Sequence, residues 1–341
     1  MRAYYKKHRL LFKRPSGTSR GVLTYKDSWF LLLEEGGKTG VGECSLIAGL
    51  SPDPPAQMES TLDSLCKALE SQSALPDLNG WPSVQMALET ALRSLQSKDG
   101  FSLFPSDFVK GTKQIPINGL VWMGDFEFMS EQIKQLISRG FDCIKIKIGA
   151  LDFDTELKLL AQLRKEFSAS EISIRVDANG AFQPTEALEK LKQLSAYEIH
   201  SIEQPIAVNQ RSAMADLCLK SPLPIALDEE LIGTYTKDDK LKLISEIKPH
   251  FLILKPSLLG GFDPSEEWIQ LAEKEGVDWW VTSALESNVG LNAIAQWTYS
   301  LGVTLPQGLG TGSLFTNNIP SPLRIEKGCL GIDNSIPWGL I

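Results

Sequence analysis

Histidine and cysteine are scarce in this chain of 341 residues. The three histidines, His8, His200 and His250, lie far apart, and the five cysteines, Cys44, Cys66, Cys143, Cys218 and Cys329, include no C-x-x-C pair. That spacing argues against a thiolate zinc site and a disulfide framework, and it fits a reducing cytoplasm. No sustained basic run occurs: Lys plus Arg is 34 against 42 for Asp plus Glu, a net charge of −8 and a pI near 5.1. Nucleic acid is therefore not an expected partner. No stretch of about 18 apolar residues is present, and the basic N-terminus, MRAYYKKHRLLFKR, has no uninterrupted apolar h-region and no cleavage site. The composition reads as a soluble, cytoplasmic protein with no membrane partner. Its hydrophobic content, 43%, suffices for a large core.

What the chain does have is a period. Beyond about residue 114, short apolar, β-rich runs recur at 115–121, 143–148, 172–176, 199–202, 225–227, 251–254, 279–281 and 303–305. Between them lie stretches such as 154–167, 185–194, 266–275 and 290–301, with apolar residues three and four apart. Strands alternating with helices at this pitch predict an α/β fold with a parallel sheet, and eight runs favour a closed TIM-type barrel over a doubly wound open sheet. The open sheet's phosphate-binding glycine fingerprint follows none of the runs.

The first 112 residues read as a small α+β domain. Two β-like runs, 4–12 and 28–34, precede GVGECSLIAGLSPD (40–53), and ALETALRSL (87–95) follows as a helix. The barrel is assigned to 113–312. The tail, 313–341, contains LRIEKGCLGI (323–332), a strand and turn expected to return to the first domain. Loops at 15–21 and 47–55, rich in Gly, Ser and Pro, are expected to cover the barrel mouth.

Polar residues mark the ends of the runs. Lys147, Asp177, Glu203, Asp228, Lys255 and Ser283 follow one another at intervals of 30, 26, 25, 27 and 28 positions, one per βα unit. In a barrel such ends surround a single mouth. Asp177 in RVDANG, Glu203 in SIEQP and Asp228 in IALDEE are three oxygen ligands on consecutive strands, a set suited to Mg²⁺. Without a cation they would repel one another and take up protons. The alternative for each acid is to cap the helix after its strand. In CIKIKIGA (143–150), strand alternation puts Lys145 and Lys147 on one face and the isoleucines on the other. Lys255 stands on the sixth strand, opposite the second on an eight-stranded circle. Two lysines would flank a ligand on the metal, Lys147 acting as base while Lys145, salt-bridged one pleat deeper, tunes it. With the ion bound the mouth carries about +1, which suits an anionic substrate and removal of a proton next to a carboxylate.

This ordered set, Lys-x-Lys, Asp, Glu, Asp-Glu and Lys on successive strands, resembles the muconate-lactonizing branch of the enolase superfamily. Within it, GECSLIAGLSPD, KPSLLGG and SALESNVGLNAIAQW are most similar to the o-succinylbenzoate synthase family, dehydratases of menaquinone biosynthesis. The resemblance implies a (β/α)7β barrel under an α+β capping domain and Mg²⁺ on Asp177, Glu203 and Asp228. It also implies that Lys147 takes the α-proton and then protonates the departing hydroxyl on the same face, and that Lys255 stabilises the enolate as a cation. The expected substrate is a small dicarboxylate. Dipeptide epimerases of the branch carry acids after the eighth strand, whereas LPQGLGTGSLF (305–315) has none. Gly308, Gly310 and Thr311 there, with Lys145 and with Ser283 after the seventh strand, are candidate substrate contacts, and Asn288 is a further one. N-acylamino-acid racemisation or dipeptide epimerisation is the alternative activity on the same constellation.

Overall fold

In a computed structural model, residues 1–18, 21–149 and 151–341 are described. Ser19, Arg20 and Ala150 lie outside them; of the stretch expected as a loop at 15–21, residues up to Thr18 belong to a strand and Gly21 begins the next. The chain opens with an antiparallel sheet of β1 (Arg2–Thr18), β2 (Gly21–Glu35) and β3 (Lys38–Ser45). β1 and β2 form a hairpin longer than the two β-like runs suggest, pairing out to Thr18 and Gly21. α1 (Met58–Ser71) and α2 (Pro82–Gln96) cover one face, where Trp29, Leu31 and Leu33 meet Leu62, Leu65, Ala87 and Ala91. The small residues of ALETAL allow this contact. α2 lies so close to β3 that a Cβ on Gly42 would come within 1.9 Å of the Ala87 carbonyl oxygen. Phe30 and Leu32, on the opposite face, pack on Val289 and Ile319. The capping domain is thus seated on the rest of the chain through its sheet.

β4 (Ile115–Pro116) stands apart from the parallel sheet that follows. That sheet consists of β5 (Gly119–Val121), β6 (Cys143–Lys147), β7 (Ser173–Asp177), β8 (Ser201–Glu203), β9 (Ile225–Leu227), β10 (Phe251–Leu254) and β11 (Asp278–Val281), neighbours in chain order. The crossovers carry α3 (Phe126–Ser138), α4 (Phe153–Glu166), α5 (Pro184–Ser195), α6 (Arg211–Lys220), α7 (Lys237–Ile247), α8 (Pro256–Leu259) and α9 (Phe262–Lys274); α10 (Asn288–Ser300) follows β11. Strand alternation sorts the side chains as the sequence requires. Ile144, Ile146, Ile174, Val176 and Ile202 point to the helices and join Leu160, Leu163, Leu191, Ile244 and Trp268 in the main core. At about 1.5–3 kcal/mol for each such side chain, this layer offsets the cost of burying ionised groups on the other face.

The run at 303–305 is not a strand. The bridging residues come just after it. Gln307 bridges Ile117 and Gly308 bridges Thr282, both in parallel sense, so one dipeptide reaches both edges of the seven-stranded sheet. Pro306 has no N–H to give, and the Gln307 side chain completes the pairing: its Oε1 accepts the Val281 N–H at 2.7 Å and its amide donates to the Leu305 carbonyl at 2.6 Å. The buried Arg175 adds a bond from Nη1 to the Pro306 carbonyl, 2.8 Å.

The tail divides. β12 (Leu323–Glu326) and β13 (Cys329–Ile332) form the expected hairpin, but β13 pairs with β4 and not with the first sheet. Return to the capping domain is made on both sides of the hairpin: after it, Trp338 stacks on Phe101 and the Ile341 carbonyl accepts from Lys6 Nζ at 2.7 Å, and before it the residues from Leu314 to Asn317 meet β1. Phe315 bridges Phe12, Lys13 donates its N–H to the Leu314 carbonyl, and Asn317 accepts the Leu11 N–H.

Candidate active site

Strand register brings the predicted residues together. Lys147 is the Cα partner of Asp177, and Asp177 that of Glu203; Asp228 follows the last residue of β9, and Lys255 the last of β10. Helix capping does not account for the three acids. The N-caps of α5 and α6 are Gln183 and Gln210, and Asp228 makes no side-chain cap bond.

The lysines hold the carboxylates. Lys145 Nζ lies 2.9 Å from Asp177 Oδ2 and also bonds Glu203. Lys147 shares the same Asp177 oxygen at 3.0 Å, and Lys255 bonds Asp228 at 2.5 Å. Burial opposes the charge on Lys145, but Asp177, Glu203 and Asp228 outweigh it and raise its pKa. It is a fixed cation. Burial likewise works to raise Asp177, yet Lys145 and Lys147 bring its carboxyl below the usual range. For Glu203 burial prevails over Lys145, and with repulsion from Asp177 and Asp228 the carboxyl is pushed up to about 7.

Because the acids are turned to lysines, no three Asp, Glu, His or Cys side chains among the described residues close on a point as they stand. The donor set nevertheless fits a hard dication. All three ligand candidates are carboxylates nearly free of solvent contact, and Glu203 Oε1 is buried with no hydrogen-bond partner among the described residues. Such an oxygen is costly unless something positive meets it.

Asn179 is the main addition to the residues singled out in the sequence. Its Oδ1 accepts from Lys147 at 2.6 Å, its Nδ2 donates to Glu229 Oε1 at 3.0 Å, and its own N–H donates to Asp177 Oδ1 at 3.0 Å. Its φ of +44° is in the left-handed region, which asparagine tolerates better than most residues. The only signal for it in the sequence is the N-G pair of RVDANG.

A cavity of about 280 Å³ opens over these groups. Lys145, Lys147, Asp177, Asn179 and Lys255 line its floor side; Leu23, Ile47 and Leu50 of the N-terminal region line it as well. The candidate contacts Ser283, Gly308, Gly310 and Thr311 all reach it, with differing hydrogen-bond capacity. The Gly308 N–H is committed to the Val281 carbonyl at 2.8 Å, so this amide is not available as an anion donor. The Gly310 N–H meets no acceptor among the described residues. Ser283 donates to Glu286, and Thr311 donates to Ser283. Asn288 turns elsewhere, its amide bonding the Ile319 carbonyl.

Residues 129–337 match the family model described as enolase C-terminal domain-like. An o-succinylbenzoate synthase of Desulfotalea psychrophila is 48% identical, over 97% of this chain and 99% of the relative. The crystal structure of MenC from that organism superposes with a TM-score of 0.88 at 45% identity, covering 97% of this chain and 99% of that one. A dipeptide epimerase of Cytophaga hutchinsonii, solved with Mg and D-Ala-L-Val, shares the fold at a TM-score of 0.83 and 22% identity, covering 99% of this chain and 94% of that one. With its paired lysines and consecutive strand-end acids, the chain belongs to the o-succinylbenzoate synthase family of the enolase superfamily.

Proposed function

We propose that the chain is a Mg²⁺-dependent lyase converting 2-succinyl-6-hydroxy-2,4-cyclohexadiene-1-carboxylate to o-succinylbenzoate, as a step of menaquinone biosynthesis in the cytoplasm. The observation that carries this reading is the placing of Lys147 and Lys255 in one cavity, each bonded to a different strand-end carboxylate. Asp177, Glu203 and Asp228 would hold the ion, whose chemistry is to stabilise negative charge on the substrate carboxylate.

Lys147, as the free amine, removes the proton next to that carboxylate, leaving an ene-diolate. Lys255, held as a cation by Asp228, stabilises the charge from the other side. Lys147 then returns the proton to the hydroxyl on the same face; the carbon–oxygen bond breaks, water departs and the ring becomes aromatic. Lys145 and Asn179 fix the Asp177–Lys147 pair, and the Gly310 N–H is the donor at the far end of the cavity.

We read the parallel sheet as a (β/α)7β barrel closed at Gln307–Gly308, with the division into 1–112, 113–312 and 313–341 marking cap, barrel and returning tail. No helix among the described residues is long and apolar enough to cross a membrane. The test is kcat/KM measured side by side for the cyclohexadiene, an N-succinyl amino acid and a free dipeptide. The cyclohexadiene should be preferred and the dipeptide weakly used or not at all, since 305–315 offers no acid for an ammonium. A dipeptide that outperformed the cyclohexadiene would overturn the assignment.

A further inference from the structure

Glu286, in the SALES stretch between β11 and α10, is fully buried, and no catalytic step above uses it. Its Oε1 accepts the Ser257 hydroxyl at 2.6 Å and its Oε2 the Ser283 hydroxyl at 2.5 Å. Ser283 in turn accepts the Leu285 N–H at 3.0 Å and the Thr311 hydroxyl at 2.7 Å. Ser257 lies two residues beyond Lys255. One carboxylate therefore ties together the segments after β10, after β11 and after the Gln307–Gly308 bridges. The two lengths to Glu286 are those of hydroxyls donating to an anion.

A carboxylate acts here where a neutral group would not. It can only accept, so the Ser283 proton points to it; Ser283 then faces Thr311 as an acceptor, and the Thr311 hydroxyl donates to it at 2.7 Å. The direction of the whole relay follows from the charge at its end. Burying that charge is expensive, and fold stability alone does not call for it. The surroundings compensate: burial raises the Glu286 carboxyl, while the Ser257 and Ser283 hydroxyls and the charge of Lys26 oppose the rise. Lys26 is itself buried in the capping domain, 2.5 Å from Ser45, whose hydroxyl reaches the Ala284 carbonyl. The adjoining Ser287 gives its N–H and hydroxyl to Glu43 of β3, at 2.9 and 2.5 Å.

We propose that Glu286 is a positioning residue for the far end of the substrate: through Ser283 it fixes the Thr311 hydroxyl, and with it the Gly310–Thr311 turn, on the half of the mouth formed by β10, β11 and the Gln307–Gly308 bridges. The proposal rests on the dehydratase reading for its choice of substrate. Its structural half does not.

Two measurements test it. In the ligand-free protein, Glu286→Gln keeps the shape but can donate to Ser283, and amide exchange over residues 308–314 should quicken about 10-fold or more, a factor worth about 1.4 kcal/mol. Ser283→Ala should do the same by cutting the relay at its middle, and it serves if the first variant fails to fold. In turnover of the cyclohexadiene, Glu286→Gln should raise KM about 10-fold with a much smaller change in kcat. Added to Thr311→Val, it should change KM little further, because both act through one hydroxyl. Unchanged exchange, an effect confined to kcat, or KM effects that multiply would each overturn the proposal. Wild-type inactivity on the cyclohexadiene would sink the dehydratase reading and leave the exchange experiment to decide this one.

Discussion

Lys147 holds its Nζ 2.6 Å from the side-chain oxygen of Asn179, closer than to Asp177, the acid with which it shares a strand register. The base is thereby aimed by a neutral group. Lys147→Ala should lower kcat at least on the order of 10²–10⁴-fold, more if the residue serves both proton transfers. Asn179→Ala leaves the amine but frees its direction, and a loss of about 10–100-fold in kcat with little change in KM is expected. Near-normal turnover in Lys147→Ala would move the base to Lys255.

Lys255→Met keeps the packing of the aliphatic stem and removes the cation. A fall in kcat on the order of 10²–10³-fold is expected, the usual scale for losing one group that stabilises developing negative charge. Mg²⁺ affinity, measured by calorimetry, should not weaken, since the same change releases Asp228 from its salt bridge. Weaker metal binding with intact kcat would contradict the role given to Lys255.

Exhaustive chelation should abolish activity, and Mg²⁺ should restore it. Glu203→Gln should weaken Mg²⁺ binding in the same experiment. Full activity in metal-free buffer would remove Asp177, Glu203 and Asp228 from the ligand set.

Asp53, which no step of the reaction uses, provides a pH test of its own. Its carboxylate accepts the Ser83 N–H at 3.1 Å and the Ser83 hydroxyl at 2.6 Å in the first turn of α2, yet burial outweighs these bonds and lifts its pKa to about 6. The folded chain thus keeps a proton that the unfolded chain loses near pH 4. Between about pH 4 and 6 this residue makes stability fall as pH rises, and above that window its contribution is constant. Asp53→Asn keeps an acceptor for the Ser83 N–H and carries no charge, so the decline should be missing. Urea unfolding midpoints across the window check this; parallel declines in both proteins would rule it out.

The lysines and acids could be read from the sequence because each depends on a local rule. A run such as CIKIK fixes which side chains share a face, and recurrence of the βα unit fixes which ends meet. What was not legible depends on partners distant in sequence. Glu43 and Ser287 meet across the interface between cap and sheet, and no periodicity relates them. Gly308 reads as a free amide in LPQGLG, but its N–H belongs to Val281, a partner distant in sequence. The expected strand at 303–305 failed for a related reason: Pro306 cannot donate, and pairing falls instead to the backbone of Gln307 and Gly308, with the Gln307 side chain taking the Val281 N–H.

That short seam has a consequence for how the molecule comes to exist. Residues 116–118 and Gln307 stand near opposite ends of the catalytic unit in sequence, and few backbone bonds reward bringing them together. Loop-closure entropy therefore opposes their pairing until the intervening strands have assembled and drawn the ends close. The wall that carries Gly310 and Thr311 should be completed late in folding and open early under denaturant, so a chain stalled short of the native state would already possess its lysines and acids and still lack this surface.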